Sequence, residues 1–538
     1  MRTSGCIVLI TLFKNYCYNE IAYLNTLMKI CILGGGTAGW LSALYILRRQ
    51  PVHEITVIDS SRIGIIGTGE GSTGVFADTL THVLKISSND FLLNTGATQK
   101  LGIRFHNWTG DGRSFIGPLD NTRSAFHNPQ LFDTSLLYHC QQHGRSQVHL
   151  STICGHLVER GLGTAHRTEH SMLPVHSYHF DGHQVGAYFK QLAMADGVQH
   201  IDGEYTSSQL DQQGYIESIT LASGEKIAAD IFIDATGFAR LLGKEVDAGW
   251  HSYSADITCD RAMPFHLPNA ATTEALTEAV AMSSGWMWQI PTQQRRGCGY
   301  VYDSRFITDE QAQAEIEQHL GHPIQPIRVI KFDSGRVERT FSRNVVSVGI
   351  AGNFLEPLQA TNIHGTISQL YFLTEFWLRG DRTAGPQETK HLNQAINQGF
   401  DTFADLVQIH YHSGRSDTEF WRFQQNIPLR PQVALLQEMG QHRWPIVEDW
   451  PIRLGGSGYG PSIYPLVEYG WMDGAIAREQ IPNPQLAQEL YQEEQAQIAQ
   501  LVAQCRTHQD LVEQLRLGRI RPPVVANPEL SRWLSLGR

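Results

Sequence analysis

One segment, residues 29–40, constrains the fold of this chain more than any other part of its sequence. It reads KICILGGGTAGW, so a short apolar run ends at three consecutive glycines and a helical pattern follows. A second apolar run ends at Asp59, twenty residues after Gly39, and this carboxylate can accept hydrogen bonds from ribose hydroxyls. A strand, a G-x-G-x-x-G turn, a helix and a strand that ends in an acid form the βαβ unit of dinucleotide-binding domains. We therefore predict a doubly wound α/β fold that binds a dinucleotide.

The residues of this turn have separate physical roles. Gly34 permits the tight turn, Gly36 lets the backbone approach a pyrophosphate, and Gly39 lets the helix pack closely on the sheet. Thr37 and Ala38 lie at the start of the helix, whose free amide groups and positive dipole end favour phosphate. A glycine-rich turn alone can join a strand to a helix without any ligand, but the complete βαβ context favours nucleotide binding.

Two further apolar runs end in loops of the same kind. Residues 226–237 read KIAADIFIDATG, with Asp234 and Gly237 near their end, and residues 344–352 read NVVSVGIAG, with Gly349 in the loop. Three such strand ends, far apart in the sequence, predict one nucleotide-binding domain that is assembled from separated segments. We place that domain at residues 28–110, 171–240 and 330–375, and a substrate-binding region with a mostly helical C-terminus at 111–170, 241–329 and 376–538.

Composition excludes several classes of protein. The chain has 538 residues and a formal net charge of −11, which argues against nucleic acid or an anionic membrane as its main partner. Its eight cysteines form no C-x-x-C pair and its 24 histidines show no metal-ligand spacing, so we expect a reducing, cytoplasmic location and no metal site. No apolar stretch is long enough to span a membrane. Residues 1–27 carry only a short apolar run and are interpreted as an extension outside the fold.

The segment GWMWQIP, residues 285–291, carries two tryptophans two positions apart. On a strand they project to the same side, and by spacing alone they indicate a packed aromatic pair in a core. Together with the glycine turn, however, this segment resembles the flavin-dependent halogenases typified by the tryptophan halogenases. The matching motifs are W-x-W-x-I-P at Trp286 to Pro291, G-x-G-T-A-G-W at Gly34 to Trp40, G-E-A-T with variation at Gly69 to Ser72, K-x-x-I-x-F-x-x-W at Lys100 to Trp108, and F-x-E-P-L at Phe354 to Leu358.

The resemblance implies a reaction. Reduced FAD, delivered by a separate flavin reductase, reacts with dioxygen to a C4a-hydroperoxide, and chloride or bromide attacks its distal oxygen to give hypohalous acid. The oxidant then moves through a tunnel to a lysine, matched by Lys100, beside a small electron-rich aromatic substrate. An ammonium group there can polarise hypohalous acid, or an amine can form a haloamine. Without the resemblance, Lys100 begins an alternating stretch, apolar at 101, 103 and 105, that is typical of a strand with a solvated lysine.

The resemblance also assigns the other site residues. Trp286 and Trp288 would separate the flavin from the tunnel, and the backbone of Thr361 and Asn362 would bind halide near the flavin. Beyond the first glycine turn and Asp59, the predicted cofactor contacts are Gly69, Glu70, Val198, Asp234, Gly237, Gly349 and Ile363.

One position departs from the family. The family's catalytic glutamate aligns with Gln359, whose amide can hydrogen-bond but cannot act as a base near neutral pH. Glu356 is not an evident replacement, because the family already has a glutamate there. The first interpretation stays an FADH2-dependent halogenase, since water or another base can take the proton from an activated ring. The alternatives are a flavin monooxygenase and a catalytically silent FAD-binding protein.

The substrate end departs as well. The tryptophan-specific enzymes use a C-terminal set of aromatic and carboxylate residues that the segment GYGPSIYPLVEYGW, residues 458–471, does not clearly match. This difference favours an indole-like or other aromatic compound over free tryptophan as the substrate. The expected partners are therefore the reductase and a small aromatic molecule, and the question of a homodimer stays open.

Overall fold

A computed structural model describes residues 27–64, 67, 69–119, 129–168, 171–380, 382–445, 449 and 459–519. The segment 1–27, interpreted above as an extension, lies outside these residues except for the exposed Leu27. Within the described ranges, no helix combines the length and the apolar character needed to cross a membrane.

A six-stranded sheet, here called the nucleotide sheet, contains the glycine-rich segment. Its strands lie in the order Phe341–Ser342, Val345–Ser347, Ile231–Asp234, Lys29–Leu33, Glu54–Asp59 and Gln199–Asp202. All neighbours are parallel except the first pair. Ile30 lies opposite both Ile231 and Ile55, and its side chain is buried. Strands covered on both faces need apolar residues throughout, which explains the continuous apolar runs of the sequence. The doubly wound α/β prediction is confirmed.

A seven-stranded mixed sheet carries the tryptophan segment. Its order is Ile330–Lys331, Arg261–Pro268, Arg295–Tyr302, Gly285–Pro291, Leu276–Ala281, Gly102–His106 and Ser114–Pro118. Trp286 and Trp288 are buried, and they belong to the same apolar core as Ile32 and Trp40 of the nucleotide-binding part. The two sheets therefore share one core, while the domain boundaries proposed from the sequence stay a prediction.

The strand expected to begin at Lys100 is divided between two sheets. Lys100 closes the strand Thr98–Lys100, which pairs with Ser177–Phe180, and Ser177–Phe180 pairs in turn with Glu70–Gly71. The next strand starts at Gly102 in the mixed sheet. Between them, the Leu101 amide donates to the carbonyl of Ala275 at 2.7 Å, so the chain changes sheet at this residue. Periodicity cannot detect such a change, because the alternation of apolar residues continues through it.

The remaining strands are short. They are Tyr205–Leu210, Ile216–Leu221 and Lys226–Ala228 in one sheet, His251–Ser252, Gly335–Arg336 and Asn353–Phe354 in another, and the pairs Leu378–Arg379 with Arg382–Thr383 and Leu162–His166 with Cys505–Thr507.

Helices cover the sheets and form most of the C-terminal part, as predicted. The α-helices of the described residues are Thr37–Arg49, Gly74–Asp78, Ser88–Thr95, Pro129–His143, Ile153–Glu159, Gly182–Ala195, Leu241–Glu245, Asp309–Leu320, Thr361–Phe372, Pro386–Tyr411, Glu419–Asn426, Pro431–Gly440, Tyr459–Glu468, Asp473–Arg478, Pro484–Val502 and His508–Arg516. Shorter 3₁₀ turns lie at Arg145–Ser151, Gly237–Ala239, Gly349–Ala351 and Pro357–Gln359, and π-helical turns lie at Thr79–Val83 and Leu373–Trp377.

Candidate active site

The three strand ends singled out in the sequence meet at one edge of the nucleotide sheet. Gly34 has φ of +113°, and a Cβ atom there would lie 2.3 Å from the carbonyl oxygen of Ala235. A Cβ atom at Gly349 would lie 2.6 Å from the Cβ atom of Ala38. Side chains at these two glycines would therefore push the loops apart. Because parallel strands bring their carboxyl ends to the same edge, the three loops form one continuous backbone surface.

The start of the helix Thr37–Arg49 fits a phosphate group. Gly36 precedes the helix with an extended backbone, φ of −72°, and its position supplies no side-chain cap. The hydroxyl of Thr37 points elsewhere, because it donates to the carbonyl oxygen of Gly182 at 3.0 Å. The first amide groups of the helix therefore have no side-chain acceptor at this cap, which is the arrangement that binds a pyrophosphate.

Asp59 lies against the glycine turn. A Cβ atom at Gly35 would be 2.0 Å from Oδ2 of Asp59. Oδ1 of the same carboxylate contacts Nε2 of His200 at 2.5 Å, and Nζ of Lys190 lies 3.9 Å from Oδ2. This position beside the turn is the one that a ribose-binding acid requires.

Asp234 organises its own loop. Its carboxylate accepts hydrogen bonds from the amide and hydroxyl groups of Thr236, at 3.0 and 2.6 Å. It also accepts from the amide groups of Leu242 and Gly243, at 2.9 and 2.8 Å. With four donors already bound, this carboxylate shapes the loop, and a cofactor contact by Asp234 stays a prediction.

The other predicted cofactor residues differ in exposure. Glu70 is half-buried, and desolvation together with the carboxylate of Asp181 raises its pKa to about 7. The neighbouring Gly69 approaches Gly297 so closely that a Cβ atom would lie 2.9 Å from its Cα atom. Val198 and Ile363 are buried side chains of the core, and space beside Gly237 is open. Their contacts with a cofactor stay predictions.

The predicted transfer lysine is buried. Lys100 is 2% exposed, and desolvation lowers the pKa of its amine to about 7. None of the ion pairs found in the described ranges involves it. A Cβ atom at Gly71 would lie 3.2 Å from Nζ of Lys100 and 3.4 Å from the Cβ atom of Ala360. The amine and the loop that contains Gln359 therefore lie on the same side of Gly71.

Gln359 ends the 3₁₀ turn Pro357–Gln359 and is held by a histidine. Its Nε2 atom lies 2.6 Å from Nε2 of His410, and Nδ1 of His410 lies 2.9 Å from the hydroxyl of Tyr469. The imidazole is fully buried and stacks on the ring of Phe105, with centroids 4.6 Å apart. Burial lowers the pKa of His410 to about 3, so this imidazole is neutral at physiological pH.

The tryptophan pair is fixed by a buried carboxyl group. The ring centroids of Trp286 and Trp288 are 6.1 Å apart, so the two rings lie side by side on the strand Gly285–Pro291. The indole of Trp286 donates to Oε1 of Glu356 at 2.8 Å, and the hydroxyl of Tyr411 donates to the same oxygen at 2.8 Å. Burial raises the pKa of Glu356 to about 7.

The predicted halide residues begin the helix Thr361–Phe372. Ala360 precedes it in the left-handed region, φ of +55°, and supplies no side-chain cap. The hydroxyl oxygen of Thr361 is buried and has no hydrogen-bond partner among the residues that the structure describes. The side chain of Asn362 is used locally, because it pairs with the backbone of Leu355 at 3.2 and 3.3 Å. An uncapped, positive helix end is suited to an anion, and halide binding there stays a prediction.

Known proteins are similar to this chain in sequence and in fold. The family model described as tryptophan halogenase matches residues 29–453. Tryptophan 7-halogenase RebH from Lentzea aerocolonigenes is 32% identical over 422 residues, which cover 74% of this chain and 79% of RebH. The chain belongs to the tryptophan halogenase family.

Solved structures agree with the assignment of this chain to the halogenase family. BrvH, a flavin-dependent halogenase from Brevundimonas sp. BAL3, is 25% identical with a TM-score of 0.79, and the match covers 91% of this chain and 99% of BrvH. Xcc4156, a flavin-dependent halogenase from Xanthomonas campestris, is 25% identical with a TM-score of 0.80, over 94% and 100% of the two chains. The prediction of a flavin-dependent halogenase is confirmed, and neither a monooxygenase nor a silent flavoprotein is favoured.

The family assignment implies FAD as the cofactor of this halogenase, and its residues fit that molecule. The fit rests on the uncapped helix start after Gly36, the close approach of the three loops, and the position of Asp59. Two residues of the candidate site were not predicted: His410, and Glu356 as the hydrogen-bond acceptor of Trp286. The sequence carried no signal for either contact, since a histidine or a glutamate in an apolar segment does not reveal its partner.

Proposed function

We propose that this halogenase transfers chlorine or bromine to an indole-like aromatic substrate through Lys100. The observation that carries the proposal is the burial of the Lys100 amine beside the loop of Gln359, with no acidic partner in the described ion pairs. A separate flavin reductase would supply the reduced cofactor. When bound, reduced FAD supplies hypohalous acid from dioxygen and halide.

The residues of the chain would divide the remaining work. The helix start after Gly36 and the carboxylate of Asp59 would hold the dinucleotide, and the amides after Ala360 would hold halide. Trp286 and Trp288 would keep the substrate apart from the cofactor, and both rings are buried in the core that the two sheets share.

Lys100 would bring the oxidant to the substrate. With a pKa of about 7, both the ammonium and the amine form are populated near neutral pH. The ammonium form would donate a hydrogen bond to the oxygen of hypohalous acid. The amine form would bond to the halogen, and the oxygen would leave as water after taking the amine proton. In the first case the ring carbon takes the halogen as the oxygen–halogen bond breaks, and the departing oxygen leaves as water with the proton of the ammonium. In the second case the nitrogen–halogen bond breaks, and the nitrogen regains a proton from solvent to give the amine again. The halogenated ring carbon then loses its own proton to water, because Gln359 is not a base.

Product analysis tests this function. The purified halogenase would be supplied with a flavin reductase, NADH, FAD and either bromide or chloride, together with a panel of indoles and phenols. Mass spectrometry should detect halogenated products with at least one electron-rich ring. If the protein binds FAD but no halogenated product forms from any member of the panel, the proposed substrate class is wrong.

A further inference from the structure

Gln359, His410 and Tyr469 form one chain of polar contacts inside an aromatic cluster. The Gln359 amide nitrogen and the Tyr469 hydroxyl contact opposite nitrogens of the same imidazole, at 2.6 and 2.9 Å. His410 has no exposed surface, whereas Gln359 and Tyr469 are half-buried. The imidazole is stacked on Phe105, which leaves it little freedom to rotate. These contacts therefore join a rigid, neutral histidine to two more accessible side chains, Gln359 and Tyr469.

A neutral imidazole has one donor and one acceptor nitrogen. When Nδ1 of His410 donates to the oxygen of Tyr469, Nε2 must accept, and the group facing it is the amide nitrogen of Gln359. The amide oxygen of Gln359 then points away from His410. This arrangement satisfies the buried imidazole completely, and that matters because an unpaired buried polar atom is costly.

Orientation matters for an amide in a way that it does not for a carboxylate. The two oxygens of a glutamate are equivalent acceptors, so either one can face a bound oxidant. A glutamine offers an acceptor on one side and a donor on the other. If Gln359 were free to turn, part of the protein population would present the NH2 group to the site. That group cannot accept a hydrogen bond from hypohalous acid.

We propose that His410 is a positioning residue that fixes the amide of Gln359 with its oxygen toward the Lys100 side of the site. This inference rests on the proposed transfer of halogen through Lys100. The oxygen then accepts a hydrogen bond from the oxidant or the lysine, and no proton is transferred to glutamine or histidine.

The test compares His410→Leu with His410→Gln. Leucine removes the nitrogen that accepts from Gln359. The amount of halogenated product per FADH2 oxidised should therefore fall roughly tenfold, the change in rate that corresponds to the free energy of one hydrogen bond. Glutamine can again accept from Gln359 and should restore most of the yield. If His410→Gln is as poor as His410→Leu, the imidazole is needed as a proton acceptor and the positioning role is wrong. If His410→Leu matches the natural protein, His410 has no role in transfer.

The same substitution in a Gln359→Glu protein separates a positioning role from a loss of structure. In Gln359→Glu, the two equivalent oxygens remove the need for orientation, so adding His410→Leu should cost little. An equal loss of product yield in the natural and the Gln359→Glu proteins would overturn the inference.

His412, buried near the end of the same helix, provides the control, and His412→Leu should keep the product yield. If His410→Leu does not fold, His410→Asn replaces it, because the shorter amide reaches toward Tyr469 and not toward Gln359. A natural protein that gives no halogenated product would contradict the proposed function instead.

Discussion

Oε1 of Glu356 accepts a hydrogen bond of 2.8 Å from the indole nitrogen of Trp286, across 70 residues of sequence. The same oxygen accepts from the hydroxyl of Tyr411 at 2.8 Å, and all three side chains are buried. The carboxyl group thus links the tryptophan strand, the loop before Gln359 and the long helix Pro386–Tyr411. Its role is to hold the wall of the site in one geometry.

Removing that acceptor should destabilise the protein. Glu356→Leu leaves the indole N–H of Trp286 buried without this acceptor, which costs about 1–3 kcal/mol. The hydroxyl of Tyr411 keeps only its contact of 3.3 Å with Sγ of Cys259, a weak hydrogen-bonding group. We expect the free energy of unfolding, measured with urea, to fall by at least about 1–3 kcal/mol. Glu356→Gln keeps one carbonyl acceptor and should lose less. Equal stability of Glu356→Leu and the natural protein would show that the two hydrogen bonds contribute nothing.

Gly36→Val should abolish FAD binding without unfolding the protein. The extended backbone of Gly36 accommodates valine, but its side chain would occupy the space that the pyrophosphate needs. A fluorescence titration should show the affinity for FAD reduced by at least about tenfold, or about 1.4 kcal/mol. Gly385 is a matched control, since it precedes another helix with φ of −66° and open space around its Cβ position. Gly385→Val should bind FAD normally, and unchanged affinity in Gly36→Val would remove the first turn from the cofactor site.

Lys100→Ala should stop halogen transfer while flavin reoxidation continues. The amine lies beside the loop of Gln359. On the role proposed for Lys100, its loss should affect the delivery of the oxidant and not its formation. Product formation and FADH2 oxidation are measured together, with catalase present to remove free peroxide. The exposed Lys226 supplies the control variant Lys226→Ala. Full product formation by Lys100→Ala under these conditions would favour a freely diffusing oxidant.

Burial of Lys100 should also reduce stability in a pH-dependent way. Its pKa falls from 10.5 to about 7 on folding, so between these values the unfolded chain binds more protons and stability rises with pH. Lys100→Met should therefore be more stable than the natural protein by a few kcal/mol at pH 6, since each pKa unit corresponds to about 1.4 kcal/mol. This advantage should shrink as the pH approaches 10. A difference in unfolding free energy that does not change between pH 6 and 10 would contradict the lowered pKa.

Gln359→Glu should raise turnover on a poor substrate such as indole. A positioned general base contributes about a hundred- to ten-thousand-fold, and the gain is smaller where water already removes the ring proton. The effect should grow toward higher pH as the new carboxylate ionises, and it should disappear in a Lys100→Ala background. Rates are compared at equal FADH2 supply. A folded, FAD-binding Gln359→Glu protein that is no faster on any substrate would reject the missing-base hypothesis.

Much of the fold and part of the site followed from local sequence. The glycine turn, the strand ends at Asp59 and Asp234 and the tryptophan strand were predicted because each depends on residues that are close in the chain. The family motifs then pointed to Lys100 and Gln359. The predicted bounds of the strand at Lys100 were wrong, because the chain passes from one sheet to another at Leu101 without any break in the alternation of apolar residues.

By itself, the sequence determined that this chain forms a doubly wound nucleotide-binding fold and carries the motifs of a flavin-dependent halogenase. Only the tertiary structure decided what surrounds the reactive groups. The contact of Gln359 with His410 spans 51 residues, and no periodicity predicts which two side chains meet over such a distance. The lowered pKa of Lys100 has the same origin. It arises from desolvation, which depends on every segment packed around the amine and not on the strand that carries it.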